Sequence, residues 1–320
     1  MTPRVLATRR LPGPAFAELE DLALVSLSEL ESAGGVEALI VANEDVGDDV
    51  LARLPDLRVV ANFGVGYDRV DVAACKRRGV VVTNTPGVLD AATADLAMAL
   101  LLAVQRRVVA GDRRVRAGAW KSGWSESELA LEVTGSTLGI VGLGRIGTAV
   151  ARRAAGFGLR LLYTKRARLD SKAERLLGVE WRTLDDLLAE SDSVSLHAPR
   201  TRATTGLLDE RRLALLRDGA VLVNTARAEL VVRDALLREL QSGRLSAGLD
   251  VFWDEPNVPA ELLDLENVVL TPHIGSATEA ARFGMTRLVV DNVRAVLAGE
   301  TPLTPVEPWN LGLPAGVEPA

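Results

Sequence analysis

The chain has 320 residues, 48% hydrophobic and 25% charged, the balance of a folded protein of about two domains rather than of a disordered one. Asp and Glu outnumber Lys and Arg by 43 to 37, a formal net charge of −6, which argues against a nucleic-acid partner because such a protein presents a basic face. The longest wholly apolar run, Leu96 to Val104, is far short of the ~20 residues that cross a bilayer, so no membrane association is expected.

The stretch MTPRVLATRRLPGPAF lacks the apolar centre of a secretory leader. A single cysteine, Cys75, rules out an intrachain disulfide, and a cytoplasmic location is expected. Short apolar strands are predicted at Arg4–Ala7, Ala38–Val41, Arg58–Asn62 and Val80–Thr83. A long apolar helix follows over Thr93–Val109, then a loop-like stretch from Ala110 to Thr134. Strands resume at Thr137–Val141, Arg160–Thr164, Ser193–Leu196, Ala220–Asn224, Ser246–Asp250 and Val268–Leu270. Helical patterns fall between them at Arg145–Gly156, Glu210–Leu216 and Arg233–Ser242. A last long helix, Ser276–Ala298, precedes a proline-rich tail.

Strands alternating with helices read as βαβ units and parallel sheets, an α/β fold. The two long helices bracket a central block, which suggests one doubly wound domain inserted in another. The expected division is 99–286 for a dinucleotide-binding domain, with 1–98 plus 287–320 as a flavodoxin-like substrate domain.

The sharpest motif is Gly142-Leu143-Gly144-Arg145-Ile146-Gly147, between a predicted strand and a predicted helix. In that context the first glycine permits a tight turn, the second lets a pyrophosphate approach, and the third lets helix and strand pack closely. The next strand is followed by Lys165, Arg166 and Arg168, with no acid before Asp170. An acid there would accept the ribose hydroxyls of NAD(H), whereas cations attract a 2′-phosphate, so NADP(H) is the expected cofactor and NAD(H) the second candidate.

Arg227, Glu255 and His273 each follow a predicted strand. Together they suit reduction of a 2-keto acid. A guanidinium fork clamps carboxylate and carbonyl oxygens. An imidazolium protonates the nascent alkoxide, and a carboxylate beside it favours that charged form. The other histidine, His197, is expected to neighbour the nucleotide rather than to react. One cysteine and two distant histidines give no metal-ligand spacing, so no metal is expected. Cys75, in Val72-Ala-Ala-Cys, is expected to be buried and inert.

Asn62-Phe-Gly-Val-Gly-Tyr-Asp68, Thr83-Asn-Thr-Pro-Gly87, Gly142–Gly147, Asn224–Arg227, Asp250–Pro256 and Pro272–Thr278 occur in an order that resembles the D-isomer-specific 2-hydroxyacid dehydrogenase family over nearly the whole chain. The closest likeness within it is to NADPH-using glyoxylate/hydroxypyruvate reductases. The resemblance implies Arg227 as substrate clamp, His273 as acid/base and Glu255 as its partner. It implies that backbone N–H groups at Val65 and Gly66 hold the substrate carboxylate, and that Asp250 meets the nicotinamide amide. Further cofactor contacts are expected at His197, Ala198, Pro199, Thr204, Thr225, Ala226 and Gly275. Family members use the region of Trp120 and Trp124 in a dimer arm, so a homodimer is expected. Ala228 departs from the glycine usual after the catalytic arginine, and Val232-Arg233 replaces a common acidic pair. Two other readings stay open: a D-3-phosphoglycerate or other NAD-dependent dehydrogenase of this fold, and a dinucleotide-sensing corepressor-like protein.

Overall fold

A computed structural model describes residues 4–121 and 129–306. The chain divides into two compact units, one running to Leu89 and resuming at Thr278, the other Asp90–Ala277. The expected junctions at 98/99 and 286/287 fall inside helices, Asp90–Gln105 and Glu279–Leu297.

The first unit holds a parallel sheet of β1 (Val5–Ala7), β2 (Leu22–Leu24), β3 (Ala38–Val41), β4 (Val59–Asn62) and β5 (Val81–Thr83), in the order β2-β1-β3-β4-β5. That is the flavodoxin-like order. Strand β2 escaped sequence reading because its three residues are only partly covered at the sheet edge. Helices α1 (Asp48–Arg53) and α2 (Val72–Arg77) pack Val50, Leu51, Ala74 and Cys75 onto Leu39, Val41, Val60 and Val82. Cys75 is fully buried and its thiol is pushed up to about 11, chiefly by that burial.

The second unit opens with α3 (Asp90–Gln105) and α4 (Val108–Arg116). The single helix expected over Thr93–Val109 is thus two, because Arg107 turns left-handed at φ +53°. The stretch expected as loop holds most of α4, which has no buried residue and leaves Val108 and Val115 exposed. The sheet comprises β6 (Thr137–Val141), β7 (Arg160–Thr164), β8 (Val179–Trp181), β9 (Ser193–Leu196), β10 (Val221–Asn224), β11 (Ser246–Leu249) and β12 (Val268–Leu270). All its neighbours are parallel, in the order β12-β11-β10-β9-β6-β7-β8. The order reverses between β6 and β9, the place where an open sheet of this kind forms a ligand crevice.

Both faces of this sheet are covered. Leu138, Ile140, Leu161, Tyr163, Val221 and Val223 face α3 and α5 (Arg145–Ala155). Their alternates Val141, Leu162, Leu196 and Leu222 face α7 (Leu184–Glu190) and α9 (Arg233–Gln241). Continuous apolar strands are what two covered faces require. The α/β fold with two doubly wound parallel sheets is as the strand pattern indicates.

Candidate active site

The glycine motif lies where β6 turns into α5. Gly142 has φ +96°, and a Cβ on it would stand 2.7 Å from the Ala198 nitrogen and the His197 carbonyl carbon. A Cβ on Gly147 would collide with the Gly142 carbonyl oxygen. The protein's own backbone therefore demands both glycines. Gly144 differs: nothing lies within 4 Å of where its Cβ would be. It is the N-cap of α5, which has no side-chain cap and no acid in its first turn. Leu143 is buried, Ile146 half-buried and Arg145 exposed. Bare helix N–H groups facing open space suit an anionic group such as a pyrophosphate. At the end of β10, Thr225 Oγ1 is buried without a hydrogen-bond partner among the described residues, an orphan that a ligand can satisfy. These features fit a dinucleotide.

The cations after β7 do not act alike. Lys165 is half-buried and Arg166 exposed, and neither has a hydrogen bond or ion pair with the described residues. Arg168 is committed elsewhere. Its Nε and Nη2 donate to Glu174 Oε1 and Oε2 at 2.7 and 2.8 Å, and it lies 5.6 Å from the centre of the Trp181 ring. Tyr163 Oη also donates to Glu174 Oε1 at 2.8 Å. These bonds hold the Glu174 carboxyl down at about 2. Asp170, the first acid after β7, caps α6 (Ser171–Leu177), and that helix carries Glu174 back beside the loop.

His197, just past β9, bonds Ser195 Oγ through Nε2 at 2.8 Å. Burial lowers its pKa to about 4, so its imidazole is neutral at ordinary pH. Thr204 Oγ1 donates to the Pro199 carbonyl at 2.6 Å and accepts from Thr201 N–H at 2.8 Å, so its hydroxyl closes the turn after His197-Ala198-Pro199.

Arg227, Glu255 and His273 lie just beyond the ends of β10, β11 and β12. His273 Nδ1 lies 2.7 Å from Glu255 Oε2. Glu255 Oε1 accepts from Phe252 N–H at 3.0 Å. Burial would raise the Glu255 carboxyl, but the His273 hydrogen bond and charge, the Phe252 N–H and the Arg227 charge outweigh it and hold it below its usual value. Arg227 thus acts electrostatically on the same carboxylate. His273 itself sits at φ +53°, a conformation rare for a residue with a Cβ and common at functional sites.

Asp250, fully buried at the end of β11, fixes this loop. Its Oδ1 accepts from Thr271 Oγ1 at 2.6 Å and Ile274 N–H at 2.8 Å, and its Oδ2 from Gly275 N–H at 2.8 Å. Burial is the largest influence and raises its pKa, against the pull of these bonds and of His273. Beyond the expected nicotinamide contact, then, Asp250 spends three acceptor positions on the segment that carries His273.

Three supporting residues were missed in the sequence. Thr271 clamps Asp250. Asn224 donates to the Arg227 carbonyl at 2.8 Å and accepts from Ala226 N–H at 3.0 Å, the local side-chain turn that an Asn after a strand signals. Trp253 Nε1 ties the Glu255 turn to the Val231 carbonyl at 3.0 Å. Ala228, the departure from the usual glycine, is buried at the start of a short 3-10 helix. Val65, half-buried, and Gly66, exposed, belong to the other unit. Among the described residues no cluster of His, Cys, Asp and Glu could hold a metal ion, and no helix is long and apolar enough to cross a membrane. Trp124 lies outside the described residues.

The family model for the D-isomer specific 2-hydroxyacid dehydrogenase, NAD binding domain, matches residues 98–275. A glyoxylate reductase of Pyrococcus horikoshii is 46% identical, covering 95% of this chain and 96% of its own. One from Pyrococcus furiosus is 47% identical, covering 95% of both. The solved structure of an NADPH-dependent glyoxylate/hydroxypyruvate reductase from Sinorhizobium meliloti, in complex with NADP and malonate, superposes with a TM-score of 0.87 at 35% identity, covering 96% of this chain and 97% of that one.

Proposed function

Because the chain belongs to the D-isomer specific 2-hydroxyacid dehydrogenases, we propose that it reduces a small 2-keto acid of the glyoxylate or hydroxypyruvate type to the D-2-hydroxy acid, with NADPH preferred over NADH. The observation that carries the reading is the 2.7 Å pairing of His273 with Glu255, with the charge of Arg227 on the same carboxylate. When bound, the nicotinamide supplies the hydride.

The protein's part is the proton and the fixed charges. Glu255 engages Nδ1 of His273, which leaves Nε2 as the nitrogen that delivers the proton to the carbonyl oxygen. A carboxylate at Nδ1 fixes the ring's orientation. Arg227 clamps the carbonyl and carboxylate oxygens, so negative charge growing on the carbonyl oxygen meets a fixed cation. The substrate carboxylate is assigned to the Val65 and Gly66 N–H groups. Gly142–Gly147 and the α5 N-terminus take the pyrophosphate, with Ala198, Pro199, Thr225, Ala226 and Gly275 around the remainder of the cofactor. Lys165 and Arg166 take the 2′-phosphate. The NADPH preference rests on these two, since Arg168 is held by Glu174.

A homodimer in the cytoplasm completes the proposal. Val108 and Val115 on α4, with Trp120, Leu129 and Leu131 in the chain after it, are 57, 58, 65, 62 and 45% exposed, apolar surface of the kind an interface covers. Loss of 340 nm absorbance on mixing the protein with NADPH and glyoxylate tests the reaction. A panel of other 2-keto acids with both cofactors then fixes the substrate. No oxidation of either cofactor with any keto acid in the panel would overturn the enzyme reading in favour of a dinucleotide-binding protein.

A further inference from the structure

The loop after β4 runs Phe63-Gly64-Val65-Gly66-Tyr67. Three successive carbonyls in it are taken by side-chain amides. Asn62 Nδ2 donates to the Gly64 oxygen at 3.0 Å and to the Gly66 oxygen at 2.9 Å. Asn84 Nδ2 donates to the Val65 oxygen, between them, at 2.9 Å. These peptides are trans, and in a planar trans peptide the N–H points opposite to the carbonyl before it. Holding the Gly64 carbonyl therefore sets the direction of the Val65 N–H, and holding the Val65 carbonyl sets that of the Gly66 N–H. Neither N–H has an acceptor among the described residues.

Asn84 is held in turn. Its backbone N–H donates to the Thr304 carbonyl at 3.2 Å, and Thr304 Oγ1 donates to the Asn84 carbonyl at 2.6 Å. Asn292, fully buried on α11 (Glu279–Leu297), donates to Thr304 Oγ1 at 2.8 Å and accepts from Thr304 N–H at 3.0 Å. The segment around Thr304 lies along β5, through a bridge between Thr83 and Pro305 and a bond from Val306 N–H to the Val82 carbonyl. A continuous polar chain thus runs from α11 through Thr304 and Asn84 to the Val65 carbonyl.

We infer that Asn62 and Asn84 are positioning residues for the substrate carboxylate, aiming the Val65 and Gly66 N–H groups through the carbonyls they grip, with Thr304 and Asn292 steadying Asn84. The inference rests on the proposed role of Val65 and Gly66. Free peptides at a loop rich in glycine can rotate away from a ligand; gripped ones present their N–H groups before it arrives.

The test uses the whole protein with glyoxylate and NADPH. Asn84→Ala removes the grip on the Val65 carbonyl. KM for glyoxylate rises roughly tenfold, the worth of a hydrogen bond to a charged group, while kcat and KM for NADPH stay near the parent values. Thr304→Val leaves Asn84 in place but loosens it, and gives a smaller rise of the same kind. A merely structural role would lower the melting temperature or raise both KM values together, and either pattern without the glyoxylate-specific rise overturns the inference. Should Asn84→Ala fail to fold, Thr304→Val decides alone by the same split. Replacing the Gly66 residue by glycolic acid, through nonsense suppression, deletes its N–H and tests the underlying reading. If that change raises KM for glyoxylate and the side-chain variants do not, the inference fails and the carboxylate assignment stands. If it leaves KM unchanged, the assignment falls and takes the inference with it.

Discussion

Two corners of the same sheet edge are built on opposite plans. At the ends of β11 and β12 the two carboxylates and the histidine are engaged within the protein. Glu255 is bonded to His273 and Phe252, and Asp250 grips Thr271, Ile274 and Gly275. At the end of β7, Lys165 and Arg166 have no partner among the described residues, whereas Arg168 is tied down. The difference teaches what each corner must do. On the proposed reading, a proton donor works only if its ring is already aimed, so its surroundings are settled before substrate arrives. On the same reading, a phosphate is held by charge from any of several directions, so cations not bonded to the described residues suffice.

Substitutions should therefore act on different quantities at the two corners. The largest effect is expected at His273. Without a proton donor the developing alkoxide stays charged, so His273→Gln lowers kcat by ~10²–10⁴-fold while KM for the keto acid changes less. Single-turnover absorbance measurements check this, and a retained kcat removes His273 from the role. Next comes Arg166→Ala, which raises KM for NADPH by about 10–150-fold, the loss of one charge-assisted contact to a phosphate, and moves KM for NADH little. Equal loss for both cofactors would show that Arg166 does not meet the 2′-phosphate.

The prepared corner can be tested more finely at Glu255, whose carboxyl is held below the usual carboxylate range and so is charged throughout the neutral range. Glu255→Gln keeps a polar group beside His273 Nδ1 but removes that fixed charge, so kcat for reduction at neutral pH should fall, by less than in His273→Gln, while KM for NADPH stays near the parent value. Steady-state rates of the two variants side by side check the order, and a kcat equal to the parent's would falsify the pairing's role.

How far the sequence revealed each corner follows from the same difference. Strand ends are marked by short apolar runs, so Arg227, Glu255 and His273 could be placed on one edge from their neighbours alone. The glycine motif was legible because two of its glycines answer to backbone contacts that no other residue allows. Side chains that act across turns were hidden. Thr271 reaches Asp250 over 21 residues, and Glu174 returns to Arg168 only because α6 folds back, so neither spacing had a pattern to read. The same blindness took β8 and α4, the first a three-residue strand at the sheet edge and the second a helix with no buried face.

Between the two corners stands His197, and it should have the smallest effect on turnover and a distinct effect on stability. Its ring is bonded to Ser195 and neutral, with a pKa of about 4, so it takes no part in proton transfer near neutrality. His197→Asn offers Ser195 an amide in place of the ring and should leave kcat and the rate profile above pH 6 near those of the parent. Stability is another matter. In the unfolded chain the imidazole titrates near 6.5. Between that pH and about 4 the unfolded state binds a proton that the folded state refuses. Folding therefore weakens as pH falls through this window, by up to about 3 kcal/mol at 1.36 kcal/mol per unit, and is unaffected above it. An asparagine cannot titrate, so the variant should show a shallower loss than the parent from pH 6.5 to 4. Parallel urea unfolding series for the two proteins isolate the difference, since the carboxylates titrate alike in both. Identical slopes would mean that the folded protein accepts the proton at His197 after all.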